Sequence, residues 1–496
     1  MPSLVVPDAV AIYPRQWESD VVLSDGGTAH IRPIRPDDVE QLRALHGRLS
    51  PQSIYFRFFS PIPKIPEPQL HHLAEVDYRD RFALVAELDG VVVAVVRYDR
   101  GDDDDDAAEV AFVVEDGQQR RGLATVMLEH LAAVARSNGI ERFVAETLPD
   151  NRAMMDVFRH AGFAVTSKFD SGVISVSFPL APSADLDQHI DDRDRSAVVA
   201  SIRRILNPAS IAVVGASRTP GTIGYELVHN LIRGGFTGAV LPVNPSAGSV
   251  AGIHAYATVG EAPGPPDLAI IAVPADAVAG VVEQCGAAHV GGIVIISAGF
   301  AELGTTGREV EASLVESARR HGMRVVGPNC MGLANTNPAI RMNATFAPVD
   351  PIPGNVAFMT QSGALGISLI DESARRGIGI SSFVSVGNKA DISGNDLLRY
   401  WEADEATSVI ALYLESFGNP RKFVRIASRV ARAKPIVAVK SGRSPAGVRG
   451  AMSHSAALAT SDDVADLVLS RAGVTRVDTL EELFDTTQAF ASQPAP

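Results

Sequence analysis

The sequence predicts an α/β chain of about three domains. Its 496 residues exceed what a single hydrophobic core ordinarily organises. Residues 20–180 mix β and α patterns in the manner of an α+β domain. From Ser210 onward short apolar runs alternate with helical patterns, at 211–214, 239–243, 268–273, 293–296 and 324–326. Such βαβ repetition predicts a parallel sheet covered by helices on both faces.

In chain order, residues 29–34 read as a strand and 36–49 as a helix. Runs 82–88 and 91–98, split by Asp89-Gly90, give a strong hairpin signal. Asp102 to Asp106 form a five-acid run, read as a solvated loop tip because clustered like charges repel and stay hydrated. A second reading makes it a lure for lysine-rich substrates at low salt. The strand-like run 110–114 then leads into Gln119-Arg120-Arg121-Gly122-Leu123-Ala124, which opens a helical run at 125–131. A glycine-bearing turn feeding a helix leaves several backbone N–H groups pointing one way, and the helix dipole favours a pyrophosphate there. The turn therefore reads as the pyrophosphate clamp of an acyl-CoA-dependent transferase, with an acid, Glu109, upstream on the strand.

Residues 181–200 are polar and charged with little periodicity and read as a linker. The Pro-rich stretch 348–353 separates a second α/β unit that begins at Asn355. The boundaries expected are 20–180, a linker at 181–200, then 201–347 and 354–496.

Composition excludes several classes. The formal net charge of −14 lacks the basic face a nucleic-acid binder needs. The N-terminus shows no secretory signal, and the apolar runs are far shorter than the ~20 residues that span a bilayer. Only Cys285 and Cys330 occur, without companion ligands, so neither a disulfide framework nor a zinc site is implied. A cytoplasmic protein without metal is expected.

The turn, the upstream acid and the segment Asn151-Arg152-Ala153-Met154-Met155-Asp156-Val157-Phe158-Arg159-His160-Ala161-Gly162-Phe163 together resemble the GNAT acetyltransferase superfamily. The resemblance covers roughly residues 20–180. It implies that Gln119, Arg120, Arg121, Gly122, Leu123 and Ala124 bind acyl-CoA and that Val113 and Val114 offer backbone groups to its pantetheine arm. Asn151 is a further cofactor contact, with helix capping as its alternative. Glu109 matches the general base of bacterial protein lysine acetyltransferases, and partial burial would raise its pKa toward neutrality. Its alternative is a surface carboxylate. Phe158 stands where many such enzymes carry a thiolate-protonating tyrosine, which leaves the general acid unassigned.

Val213-Val214-Gly215-Ala216-Ser217 is a second strand entering a glycine turn. Its glycines do not fall as G-x-G-x-x-G, and Val243-Asn244-Pro245 lacks the acid that grips a ribose, so a CoA nucleotide suits the crevice better than a dinucleotide. Residues 200–496 resemble the α-subunit of succinyl-CoA ligase and the NDP-forming acyl-CoA synthetases. The blocks that carry this are Gly215-Ala216-Ser217, Ser297-Ala298-Gly299-Phe300, Gly327-Pro328-Asn329-Cys330-Met331-Gly332, Gln361-Ser362-Gly363-Ala364-Leu365-Gly366, Gly387-Asn388-Lys389-Ala390-Asp391, Tyr413-Leu414-Glu415 and Ser453-His454-Ser455. The resemblance implies a Rossmann-like CoA-binding domain followed by a flavodoxin-like ligase domain. It implies cofactor contacts at Gly215, Ala216, Ser217, Asn244, Val273, Pro274, Ser297 and Asn329. It also implies a phosphoryl-carrying His454 supported by Glu415, with Cys330 as a packing residue beside the CoA site.

The expected function is an acetyl-CoA-dependent N-acetyltransferase acting on protein lysines, acyl-CoA synthetases among them, and regulated by a ligase-like half that binds CoA. The family fusion it resembles is bacterial, although here the transferase comes first. The alternative is an α-like ligase subunit that phosphorylates His454 and pairs with a separate ATP-grasp chain, since no ATP-grasp region is recognised. A third reading is a CoA sensor without catalysis. Acyl preference, acceptor identity and homo-oligomer formation stay open.

Overall fold

The computed structural model describes residues 12–101, 104–441 and 462–493. The chain divides into two compact units, with the boundary between Ala197 and Val198.

The first unit is built on an eight-stranded sheet in the order β1-β2-β3-β4-β5-β6-β8-β7. Its strands are β1 (Ser19–Val22), β2 (Thr28–Pro33), β3 (Arg81–Leu88), β4 (Val91–Arg100), β5 (Ala107–Val114), β6 (Arg142–Thr147), β7 (Thr166–Asp170) and β8 (Val173–Pro179). The β3–β4 hairpin turns on Asp89 and Gly90, both at positive φ (52° and 72°), as a two-residue type I′ connection requires. All neighbours are antiparallel except β5 and β6, which run parallel and pair only from Ala107–Arg142 to Glu109–Val144. Beyond that point the two strands part, and a fork opens in the sheet.

One face is covered by α4 (Leu123–Ser137) and α5 (Arg152–His160). Phe112, Met127, Phe143, Phe158 and Phe178 form the core beneath them. The opposite face carries α1 (Val39–Arg48), α2 (Pro51–Phe58) and α3 (Glu67–Ala74), where Leu42, Leu45 and Leu70 meet Ala83, Val85 and Val92. Every residue of β7 at the sheet edge is exposed.

The segment read as a linker is instead helical, a correction to the sequence reading: α6 spans Ala184–Leu206. Leu186 and Ile190 belong to the core of the first unit, and Val198, Ile202 and Ile205 to that of the second. These positions recur every three to four residues or a multiple of that interval, an apolar stripe that the flanking charges hide in the sequence.

The second unit holds two sheets. The first is all parallel, in the order β10-β9-β13-β14-β15. It comprises β9 (Ser210–Val214), β10 (Ala239–Val243), β13 (Leu268–Ile271), β14 (Gly292–Ile295) and β15 (Arg324–Val326). The small hairpin of β11 (Ser249–Val250) and β12 (Ile253–His254) lies outside it, and helices α7 (Ile223–Arg233), α8 (Ala275–Ala287) and α9 (Thr305–Arg320) connect the strands. The sheet expected from the apolar runs is therefore present, strand for strand.

The second sheet has the order β17-β16-β19-β18-β20-β21-β22. It contains β16 (Gly332–Asn335), β17 (Met342–Thr345), β18 (Pro353–Thr360), β19 (Ile380–Ser385), β20 (Val409–Leu414), β21 (Ile436–Lys440) and β22 (Thr475–Val477). Helices α10 (Gly363–Arg376), α11 (Gly394–Ala403) and α12 (Pro420–Val430) cover it, with two further helices at Asp462–Arg471 and Leu480–Ser492. The hairpin β16–β17 precedes the Pro-rich stretch yet pairs with β19, so the sheets do not divide where the sequence reading placed the boundary. Val213, Val294, Met359 and Leu412 share one continuous core.

Helix α7 starts close against the turn after β9. A Cβ at Gly224 would sit 1.9 Å from the Gly215 carbonyl oxygen, which no side chain tolerates. Gly224→Ala should cost about 1–3 kcal/mol by overpacking and lower the melting transition seen in scanning calorimetry of the full chain.

Candidate active site

Residues 119–124 connect β5 to α4 through two residues of positive φ, Arg120 (63°) and Gly122 (79°). Among the described residues, no carbonyl or side chain accepts from the N–H groups of Arg120 through Thr125. These donors lie unpaired at the positive end of the fifteen-residue helix α4, an arrangement that suits an anion. The side chains around them divide the work. Arg121 Nε donates to Asp25 Oδ2 at 2.8 Å and its Nη1 to Gln118, which ties the loop to the β1–β2 turn. The Ser24 N–H donates to the Arg121 carbonyl at 3.0 Å, completing that tie. Gln119 Nε2 donates to the Val114 carbonyl at 3.1 Å. Arg120, like Arg57 and Arg152 on the same cavity wall, has no ion-pair partner among the described residues and could meet an anion there.

A cavity of about 750 Å³ runs from this turn between α2, the end of β5 and α5. Ser53, Arg57, Val113, Gly122, Ala124 and Asn151 are on its wall. Its size lies within the range of cofactor clefts, and the unpaired N–H groups at one end suit a pyrophosphate, so these residues fit CoA. Asn151 caps α5, its Oδ1 accepting from the Met154 N–H at 3.2 Å, and so serves the helix while facing the cavity.

Glu109 sits on β5 at the last residue paired with β6, at the fork itself. It lies opposite Asp99 on β4 and lines a second cavity of about 530 Å³ with Glu146 and Lys168. The apolar burial expected around it is not there: Glu109 is exposed, because alternation along the strand sends Ala108 and Val110 into the core and its own side chain outward. Phe158 is fully buried, with ring centroids 5.7 Å from Phe112 and 5.3 Å from Phe178. Among the described residues no tyrosine or cysteine lines the larger cavity.

In the second unit the expected cofactor residues all follow the C-terminal ends of parallel strands, where α/β sheets bind ligands. Gly215 (φ 89°) has its α-carbon so close to the Ala272 carbonyl oxygen that a Cβ would lie 2.3 Å from it. Asn244 Nδ2 donates to the Ala216 carbonyl at 2.6 Å, and Ser217 Oγ accepts from the Thr219 N–H at 3.1 Å. Ser297 Oγ donates to the Val273 carbonyl at 2.5 Å, next to Pro274 at the start of α8, and the Asn329 N–H donates to the Ser297 carbonyl at 2.9 Å. Cys330 donates its S–H to the Ile295 carbonyl at 3.2 Å, and burial pushes its thiol up to about 12, which rules out a thiolate nucleophile near neutral pH.

The third group of residues surrounds Gln361. Its Oε1 accepts from the N–H groups of Glu415 (2.8 Å) and Ser416 (2.9 Å) and from Lys389 Nζ (3.3 Å). Ser362 caps α10 immediately beyond. Burial pulls the Lys389 ammonium down to about 8 despite the attraction of Glu415, and Lys440 is lowered in the same way. His454 lies outside the described residues, and so do Asp102 and Asp103 of the acidic run. Lys389 was visible in the sequence only as part of a block. Arg57 gave no sequence signal at all.

Residues 51–163 match the family model for the acetyltransferase (GNAT) family, 209–336 that for a CoA binding domain, and 353–490 that for a succinyl-CoA ligase like flavodoxin domain. The chain is 44% identical over 300 residues to the acetate–CoA ligase [ADP-forming] I subunit alpha of Pyrococcus furiosus, covering 60% of this chain and 64% of that one. It is 34% identical over 191 residues to the acetyltransferase Pat of Mycolicibacterium smegmatis, covering 37% of this chain and 56% of the relative. Among solved structures it is similar to a dinucleotide forming acetyl-coenzyme A synthetase 1 of Ca. Korarchaeum cryptofilum, with TM-score 0.57 and 44% identity, covering 60% and 63% of the two chains. The chain thus spans less than two-thirds of each of these relatives. It joins a GNAT acetyltransferase domain to a CoA-binding domain and a succinyl-CoA ligase-like flavodoxin domain, and its cofactor is CoA or acetyl-CoA. No helix among the described residues is long and apolar enough to cross a membrane.

A side chain at the left-handed Gly122 position costs about 1–2 kcal/mol and shifts the N–H groups that follow it. Gly122→Val should therefore weaken CoA binding to the isolated 750 Å³ site by about tenfold in calorimetry, leaving any second binding event unchanged.

Proposed function

We propose that this chain, a GNAT acetyltransferase domain fused to a CoA-binding ligase-like region, transfers acetyl groups from acetyl-CoA to lysine side chains of proteins. The observation that carries the reading is the placement of Glu109 at the β5–β6 fork. It sits on the same strand that ends in the anion-binding turn, and it faces an open cavity rather than the core. A lysine ammonium has a pKa near ~10.4 and attacks a thioester only after losing a proton. On this reading Glu109 takes that proton from an amine entering the open cavity, while the turn at Gly122 binds the cofactor's phosphates. Glu146 adds a second negative charge to that entrance, and among the described residues Lys168 is the one cation on its wall.

Acyl-CoA synthetases, whose active sites bear reactive lysines, are the substrate class we favour. The ligase-like half would bind CoA at Gly215, Asn244, Ser297 and Asn329 and report the state of the cofactor pool to the transferase domain. Labelled acetyl from acetyl-CoA should appear on such a protein. Glu109→Gln should lower the rate by about 10²–10⁴-fold, as loss of a general base does. Equal labelling by the two proteins would remove Glu109 from the mechanism.

A second reading is favoured by the 44% identity to a ligase α-subunit and by the Gln361–Glu415–Lys389 arrangement at the start of α10. On that reading the chain is an α-like subunit whose His454 accepts a phosphoryl group from a separate ATP-grasp chain. Acid-labile phosphate should then form on His454 when ATP, Mg²⁺ and such a partner are supplied, and His454→Asn should abolish it. Absence of the label with every copurifying partner would exclude this activity.

A further inference from the structure

Arg57 is the arginine of the first unit that lies on the walls of both the large groove and a smaller cavity, and among the described residues it has no ion-pair partner. Helix α2 runs along the groove: Ser50 and Ser53 donate to Asp116 at 2.7 and 2.8 Å near the phosphate-binding turn, and Gln119 Nε2 lies 3.4 Å from Ser53 Oγ. One helical turn further on, Arg57 is on the wall shared by the large groove and a smaller apolar cavity enclosed by Leu45, Phe58, Leu73, Val95 and Val113. Among the described residues no carboxylate or carbonyl accepts from it, and its guanidinium lies over the Phe58 ring at 5.1 Å. Arg97, the other arginine on the small cavity, is held by Asp99 at 2.9 and 3.2 Å and by the Leu73 carbonyl. Arg57 is half-buried, and a partly desolvated cation on a cavity wall gains more from a counterion than one in open water, so an unpaired one marks a place where negative charge can arrive. Burial and the nearby Arg97 push the Arg57 pKa down to about 10, against the attraction of Asp99 and Glu109. It therefore stays protonated at neutral pH and gains from an anion.

On the proposed reading the phosphates meet the Gly122 end, which leaves the sulfur that departs in the reaction as the negative charge for Arg57. We propose that Arg57 is a catalytic residue at the thioester end of the groove, where it pairs with the thiolate released as the acyl group passes to the acceptor. The proposal rests on the acetyl-transfer reading and supplies what Phe158 cannot. The acceptor nitrogen, having lost its ammonium proton through Glu109 to solvent, forms a bond to the acyl carbon, and the second proton it then sheds leaves by the same carboxylate to solvent. The carbon–sulfur bond breaks and its electron pair leaves on sulfur, where Arg57 balances the charge until solvent protonates it.

The test compares CoA with desulfo-CoA, which lacks the sulfur, by calorimetry between about pH 7 and 9 on the full chain, wild type, Arg57→Gln and Arg57→Lys. The wild type should favour CoA increasingly as pH approaches the ordinary thiol pKa of ~8.5, reaching about tenfold. Arg57→Gln should bind both ligands alike at every pH, and Arg57→Lys should keep part of the preference. In acetyl transfer, Arg57→Gln should lower kcat by about 10²-fold with little change in KM for acetyl-CoA. Three results would overturn the proposal. The Gln variant could keep the pH-dependent preference for CoA. It could lose affinity for both ligands equally, as a merely structural role predicts. The wild type could instead prefer succinyl-CoA to acetyl-CoA through Arg57, which would make the group a reader of acyl carboxylates. If no acceptor is ever labelled, the transfer reading fails while the ligand comparison still decides the role of Arg57.

Discussion

The parting of two parallel strands organises the first unit. β5 and β6 pair through three residue pairs and then separate at Glu109 and Val144. Backbone N–H and C=O groups along the inner edges of the fork lose their sheet partners, and such groups need replacements. An extended amide chain such as pantetheine has donors and acceptors of the kind that would replace them. The separation also places an exposed carboxylate where the strands diverge and lets the continuing β5 deliver its end to the turn before α4. The anion site, the groove and the open cavity all follow from the place where pairing stops. A mutation that extended the pairing would close the cleft without touching any residue of the site.

The second unit depends on backbone proximity in a different way. Gly224 against Gly215, and Gly215 against Ala272, let three chain segments meet where side chains could not fit. Around them, hydrogen bonds from Asn244, Ser297 and Asn329 tie together the loops that leave β10, β14 and β15. Several of the residues that resemble a CoA-binding set are therefore also the residues that shape the loops. Elsewhere Asp391, whose side chain is almost fully buried, takes charge-assisted bonds from both Arg319 and Arg324 at 2.7 Å and joins the parallel sheet of the second unit to the loop before α11. Removing the aspartate would leave two guanidinium groups short of a partner.

Much of this was legible in the sequence because it rests on local patterns. The hairpin at Asp89-Gly90, the glycine turn at 119–124 and the five parallel strands each follow from short-range rules of period and turn chemistry. What the sequence concealed depends on tertiary placement. Glu109 is followed by apolar residues and so reads as half-buried, yet strand alternation turns it outward. The helix α6 reads as a linker because its apolar stripe is thin and its charges are dense. Arg57 and Lys389 look like ordinary surface cations, and only the walls that surround them give them meaning. Hairpin β16–β17 is assigned by sequence order to one domain but pairs with the sheet of the next, since pairing partners far apart in sequence leave no local trace.

The two buried thiols have a practical consequence. Cys285 and Cys330 are the only cysteines in the chain, and burial pushes both up to about 12. Alkylating reagents attack the thiolate, so the native fold is nearly silent to them. One cysteine introduced on the surface would therefore react alone. A fluorophore or spin label could be installed at a chosen position without first removing the native pair, and the folded chain would supply its own unlabelled background.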